Sequence, residues 1–190
     1  MKSDLIKSIK ITLLFSVFFA VAYVLVLWII ALIAGPNGGK PEVVTLNGKI
    51  VGVANVGQTF TKDIYFWGRP SATNYKADQS GGSNQGPSNP KHLADIEQRI
   101  DAFLAHHPYL TRKEVPAEMV TASGSGLDPD ITPESAYIQV KRVADARGMR
   151  DETVKAIVDK QIEKPFLGIF GKAKVNVLRL NVALEMADKK

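Results

Sequence analysis

From Ile11 to Ala34 the chain reads ITLLFSVFFAVAYVLVLWIIALIA, 24 residues without a charged side chain. At about 1.5 Å per residue such a helix covers roughly 36 Å, enough to cross a hydrocarbon core of about 30 Å with some tilt. A helix apolar on every side has no wet face, which argues against a place in the core of a soluble domain. A cleaved signal peptide is the competing reading, because Ala31 and Ala34 are small residues near a suitable cleavage point. The run is longer than the roughly 7–15 residues of a signal core, which favours an uncleaved anchor. Lys2, Lys7 and Lys10 precede the run against a single Asp4. The positive-inside tendency then leaves residues 1–10 as a cytoplasmic tail, 11–34 as a transmembrane helix and 35–190 as one extracytoplasmic soluble domain. The expected location is the cytoplasmic (inner) membrane, with membrane lipid as one partner.

Composition narrows the chemistry. The chain has no cysteine, which excludes disulfides, thiolate metal sites and a cysteine nucleophile. The net charge is +5, of which three lysines less one aspartate, or two charges, belong to the tail. Elsewhere the signs are interspersed as on a solvated surface, so no nucleic acid partner is expected.

The soluble part begins with a linker, GPNGGKPE (35–42). Val43–Leu46, Asn47-Gly48 and Lys49–Val53 spell a hairpin, since Asn-Gly suits the left-handed conformations of a type I′ turn. Ile64–Trp67 reads as a third short strand. Residues 68–90, GRPSATNYKADQSGGSNQGPSNP, nearly lack aliphatic side chains. A loop of that length in a compact domain is usually functional or ordered by a partner. Asn89-Pro90 opens an amphipathic helix to about His106, with Leu93, Ile96, Ile100, Phe103 and Leu104 at helical spacing. Thr132-Pro133 repeats that signal and predicts a helix to Arg147, ended by Gly148. Val154, Ile157 and Val158 mark a short helix, Lys172–Val175 a strand, and Asn176 caps a last helix that buries Leu180 and Leu184. The pattern predicts an α+β domain with a small early sheet and several helices.

Familiar reaction centres are approached and missed. Gly38-Gly39-Lys40 has Ala34 and Pro41 where a phosphate loop needs glycine and a hydroxyl residue, and Gly168-Ile-Phe-Gly171-Lys172 is too short. No Asp-Lys-Thr-Gly-Thr phosphorylation motif occurs. His92, His106 and His107 are not spaced for zinc. Asp128, Asp130, Thr132 and Glu134 alternate like a calcium loop, but Pro133 and Gln139 stand where it needs glycine and glutamate. Ser123 and Ser125 in TASGSG approach a nucleophile elbow without meeting its spacing. A membrane-anchored serine hydrolase or an extracytoplasmic binding protein therefore stand as alternatives.

Three blocks are more particular. Gly57-Gln58-Thr59-Phe60 precedes Tyr65-Phe66-Trp67-Gly68-Arg69-Pro70-Ser71-Ala72. Ser80-Gly81-Gly82-Ser83-Asn84 precedes Gly86-Pro87-Ser88-Asn89-Pro90. Val115-Pro116-Ala117 precedes Val120-Thr121-Ala122-Ser123-Gly124-Ser125-Gly126-Leu127-Asp128-Pro129 and Ile131-Thr132-Pro133. In this order, behind one N-terminal helix, they resemble the C subunit of the Kdp-type potassium-transporting ATPases over essentially the whole chain. The resemblance implies a non-catalytic accessory subunit without a cofactor of its own, while ATP, Mg and potassium act in the assembled complex. It implies two partners, a channel-like potassium-translocating subunit and a P-type ATPase subunit. It also implies a catalytic-chaperone role that raises the ATP affinity of the latter. Family members commonly carry His where Asp130 stands here, which removes any role for an imidazole at that position.

Loop 68–90 and segment 121–133 are both rich in turn residues and poor in core formers, and are expected to form one docking surface. Its candidate contact residues are Tyr65, Trp67, Arg69, Ser80, Asn84, Ser123, Ser125 and Asp128, since Arg offers a planar donor fork and aromatics are favoured anchors. Ala20, Ala22, Ala31 and Ala34 are small enough for close helix packing in the membrane.

Overall fold

The computed structural model describes residues 2–188 and divides into two units, 1–42 and 43–190. The first is dominated by one continuous helix from Lys2 to Ala34, long and apolar enough to cross a membrane and without a buried residue. It comprises α1 (Lys2–Val17), a π-helical stretch (Phe18–Tyr23) and α2 (Val24–Ala34). The π stretch rotates the side chains beyond it relative to those before, with Phe15, Phe19 and Tyr23 in edge and stacked contacts along it. The expected polar tail is thus helical from Lys2 onward. After Ala34 the chain curls back: Gly35 N–H donates to Ala31 O at 2.9 Å, and a Cβ on Gly39 would lie 3.1 Å from the Ala31 methyl. Ala31 is small for a reason internal to this turn.

The second unit is α+β. The predicted hairpin is present as β1 (Val43–Leu46) and β2 (Lys49–Val53), with Asn47 at φ 52° and Gly48 at φ 76°. Further on come α3 (Pro90–His106), β3 (Asp130–Ile131), α4 (Pro133–Tyr137), α5 (Val140–Arg147), α6 (Asp151–Gln161), β4 (Ile162–Glu163), β5 (Lys174–Asn176) and α7 (Val177–Ala187). Strands β3, β5 and β4 form an antiparallel sheet in that order. Val175 at its centre pairs with Ile131 on one side and Ile162 on the other. Phe66, Ile131, Val143, Val154, Val158, Val175, Leu180 and Leu184 fill the core. Asn89, Thr132 and Asn176 each accept a backbone N–H at a helix start, as their positions in the sequence predict.

Two expectations are corrected. Ile64–Trp67 is not a strand. Side chains take the place of a neighbouring ladder: the Asn181 carboxamide accepts from Phe66 N–H at 2.8 Å and donates to Phe66 O at 3.0 Å. Gln139 treats Trp67 in the same way, at 2.8 and 3.2 Å. The helix predicted from Pro133 to Arg147 is interrupted at Ile138-Gln139. There the Tyr109 hydroxyl donates to Ile138 O at 2.7 Å and accepts from Arg142 N–H at 3.3 Å, standing between the two groups that a continuous helix would join.

Replacing Asn181 by Ala leaves both backbone groups of buried Phe66 unpaired. At about 1–3 kcal/mol for each of the two orphaned groups, the variant should lose about 2–6 kcal/mol. Denaturant unfolding of the full chain in detergent measures it, and a loss below about 1 kcal/mol would contradict this view of the segment.

Candidate functional site

Segment 63–67 is held by the helices beneath it. Arg142, with its side chain 3% exposed, donates from Nη1 to Asp63 O at 2.7 Å, from Nη2 to Gln139 Oε1 at 2.7 Å and from Nε to His107 Nε2 at 2.9 Å. Its guanidinium lies 4.1 Å from the Trp67 ring centre. Arg147 donates from Nε to Ile64 O at 2.6 Å, pairs with Glu185 and Asp188, and lies 5.2 Å from the Tyr65 ring. Trp67 packs against Phe103, His106 and His107, and its indole N–H donates to Lys62 O. Tyr65 and Trp67 are therefore engaged within the domain, under the chain that leads to Arg69.

Beyond Gly68 the structure brings the two expected segments together. Arg69 Nη1 lies 3.1 Å from Asp128 Oδ2, with both side chains about one quarter exposed. Ser123 N–H donates to Pro70 O at 3.0 Å, and Gly81 N–H to Ser125 O at 2.8 Å. The Ser80 hydroxyl also donates to Ser125 O. Ser71 Oγ donates to Gly126 O at 2.7 Å while accepting from the N–H groups of Thr73 and Tyr75. Gly126 sits at φ 70°, and a Cβ there would come within 2.4 Å of Thr73 Oγ1 and 2.9 Å of Gly81 O, so only glycine fits between the loops. The Tyr75 hydroxyl donates to Arg69 O. Burial, followed by the Asp128 charge, pushes this phenol up to about 12, so it remains a donor at any physiological pH.

Of the eight candidate contact residues, Arg69, Ser80, Ser123, Ser125 and Asp128 thus form one stitched region. Asn84 is exposed in the same loop, at φ 51°. Ser123 Oγ accepts from Gly126 N–H and Ser125 Oγ from Leu127 N–H, so both hydroxyls shape the turn. Asp130 binds Lys174 at 2.7 Å and Asn176 at 3.3 Å, a structural use for the carboxylate at that position. Sequence reasoning missed Gln139, Arg142 and Asn181, whose burial among apolar neighbours leaves no local mark in the chain. Beside the stitched region lies a cleft of about 380 Å³ lined by Phe60, Trp67, Arg69, Arg99, Phe103 and Met119. Arg69 Nε is buried there without a hydrogen-bond partner among the described residues.

His107 lies fully buried under this assembly, stacked on Phe103 with ring centres 3.9 Å apart. Its Nδ1–H donates to Phe103 O at 2.7 Å and Nε2 accepts from Arg142, which defines a neutral tautomer. Burial, reinforced by the Arg142 charge, pulls its pKa down to about 4 from the ordinary 6.5. Between those values the unfolded chain binds a proton that the folded chain refuses. Stability contributed by the neutral ring is therefore complete above about pH 6.5 and falls as pH drops toward 4. The loss should approach about 3 kcal/mol. His107→Gln should flatten that slope in unfolding measured across this range, and identical slopes in the two proteins would refute the assignment.

Comparison with known proteins covers nearly the whole chain. Residues 5–186 match the family described as KdpC, the K+-transporting ATPase c chain. The chain is 70% identical to the potassium-transporting ATPase KdpC subunit of Phocaeicola vulgatus, over 97% of this chain and 98% of that one. It is 55% identical to the corresponding subunit of Flavobacterium psychrophilum over 93% and 95%. To that of Caldanaerobacter subterraneus it is 46% identical over 100% and 98%.

Proposed function

The chain belongs to the KdpC family of K+-transporting ATPase subunits, and from that premise we propose that it is a non-catalytic subunit whose outer domain docks on a channel-like partner. The observation that carries the docking reading is the stitching of loop 68–90 to segment 121–133. Eight or more polar groups are devoted to holding two loops in one shape, with Arg69 and Asp128 partly exposed at their junction. A preorganised loop surface loses little conformational freedom on binding, which is where much of the cost of association lies.

In this reading the N-terminal helix crosses the cytoplasmic membrane with Lys2, Lys7 and Lys10 inside, and residues 35–190 face outward. ATP and Mg act on the P-type ATPase subunit and potassium passes through the channel-like one. Because nucleotide is cytoplasmic, any rise in ATP affinity reaches the ATPase subunit indirectly, through assembly or conformation. Ala31 and Ala34 lie one turn apart on one side of α2, and that side is the one that packs against a neighbouring helix, while Ala20 and Ala22 fall inside the π stretch, two residues apart and on different sides.

Both parts are tested by one pull-down, in which the chain is tagged and expressed with its neighbouring subunits. Arg69→Ala should lower the yield of complex several-fold, Ala34→Leu should do the same, and of Ala20→Leu and Ala22→Leu only one should. Wild-type yield and potassium-driven ATPase activity in Arg69→Ala would remove the docking surface. Equal tolerance of leucine at all three alanines would reduce the helix to a tether.

A further inference from the structure

Between β4 and β5 the chain makes a small hairpin, Pro165-Phe166-Leu167-Gly168-Ile169-Phe170. Phe166, Leu167, Ile169 and Phe170 are 71%, 74%, 75% and 61% exposed, the densest patch of large apolar side chains on the second unit. A soluble domain does not leave such a cluster in water without a use for it. We propose that this tip inserts into the interfacial layer of the lipid bilayer as a second, shallow membrane contact of the domain.

Three observations favour lipid over a protein groove. First, the backbone of the tip is already paired within itself. Phe166 and Phe170 exchange N–H and carbonyl at 2.9 Å in both directions, Gly168 N–H reaches Pro165 O, and Ile169 N–H reaches Phe166 O. Burial in an apolar medium therefore strands few polar groups. Second, Lys164 and Lys172 flank the apolar residues and are both exposed. Neither belongs to an ion pair among the described residues, whereas nearby Lys174 is held by Asp130 and Glu163. Unpaired lysines beside an apolar tip suit phosphate headgroups, and lysine is depleted in protein interfaces. Third, only eight residues separate Ala34 from Val43. That linker spans at most about 29 Å fully extended, so a membrane-crossing helix would keep the domain at the bilayer. The inference rests on the membrane-spanning reading above.

The absence of cysteine makes a single label straightforward. Ile169→Cys, and Lys113→Cys as a reference on exposed surface, are labelled with an environment-sensitive fluorophore in the full chain. Each is reconstituted in phosphatidylethanolamine–phosphatidylglycerol vesicles. A nitroxide carried on the lipid should quench the Ile169 label several-fold more than the Lys113 label, and Lys164→Glu with Lys172→Glu should shrink the difference. Equal quenching at the two positions overturns the proposal. So does shielding at Ile169 that arises only when the other pump subunits are added, which would make the tip a protein contact. Resistance to alkaline carbonate extraction reports separately on the N-terminal helix, so loss of the anchor and loss of the tip contact are distinguishable.

Discussion

Two buried carboxamides and two buried guanidiniums hold the rest of the domain in register. Gln139 and Asn181 pair with the backbone of Trp67 and Phe66 as a neighbouring strand would. Arg142 and Arg147 bind the carbonyls of Asp63 and Ile64. An irregular segment crosses the core with its polar groups satisfied, which a sheet edge here would also require but without freeing the chain to turn at Gly68. The cost is interdependence. Gln139 serves Trp67, Ser135 and Arg142 at once, and Arg142 fixes the tautomer of His107. Such networks are strong when complete and weak when one member is missing.

That rigidity passes outward to the loops. Arg69 and Pro70 follow directly from the clamped segment, and through them loop 68–90 meets segment 121–133 at Asp128 and Ser123. Gly126 closes the junction where no side chain fits. The same arrangement gives the domain a defined outer face without strands to support it, a use of side chains where the chain is too rich in Gly, Ser and Asn for regular structure.

The chain announces some of this and conceals the rest. The membrane-competent helix, the Asn47-Gly48 hairpin, the caps at Asn89, Thr132 and Asn176 and the buried Leu180 and Leu184 are legible because each rests on local chemistry or periodicity. The second sheet is not, since strands of two or three residues are too short to show alternation. The break at Ile138 depends on Tyr109, 29 residues away, and the missing strand at 64–67 depends on Asn181, 115 residues from Phe66. Among the candidate contact residues, Arg69, Ser80, Ser123, Ser125 and Asp128 were legible as a group from turn composition. The inward engagement of Trp67 was not, because an aromatic anchor and an aromatic core residue look alike in sequence.

If the chain acts by assembling with its partners, potassium-stimulated ATPase activity in material that co-purifies with the tagged chain in mild detergent reports on it, with the partners expressed alone as the reference. An active complex is expected with the chain, and loss of complex or activity without it. An intact, active pump in its absence would refute a role through assembly.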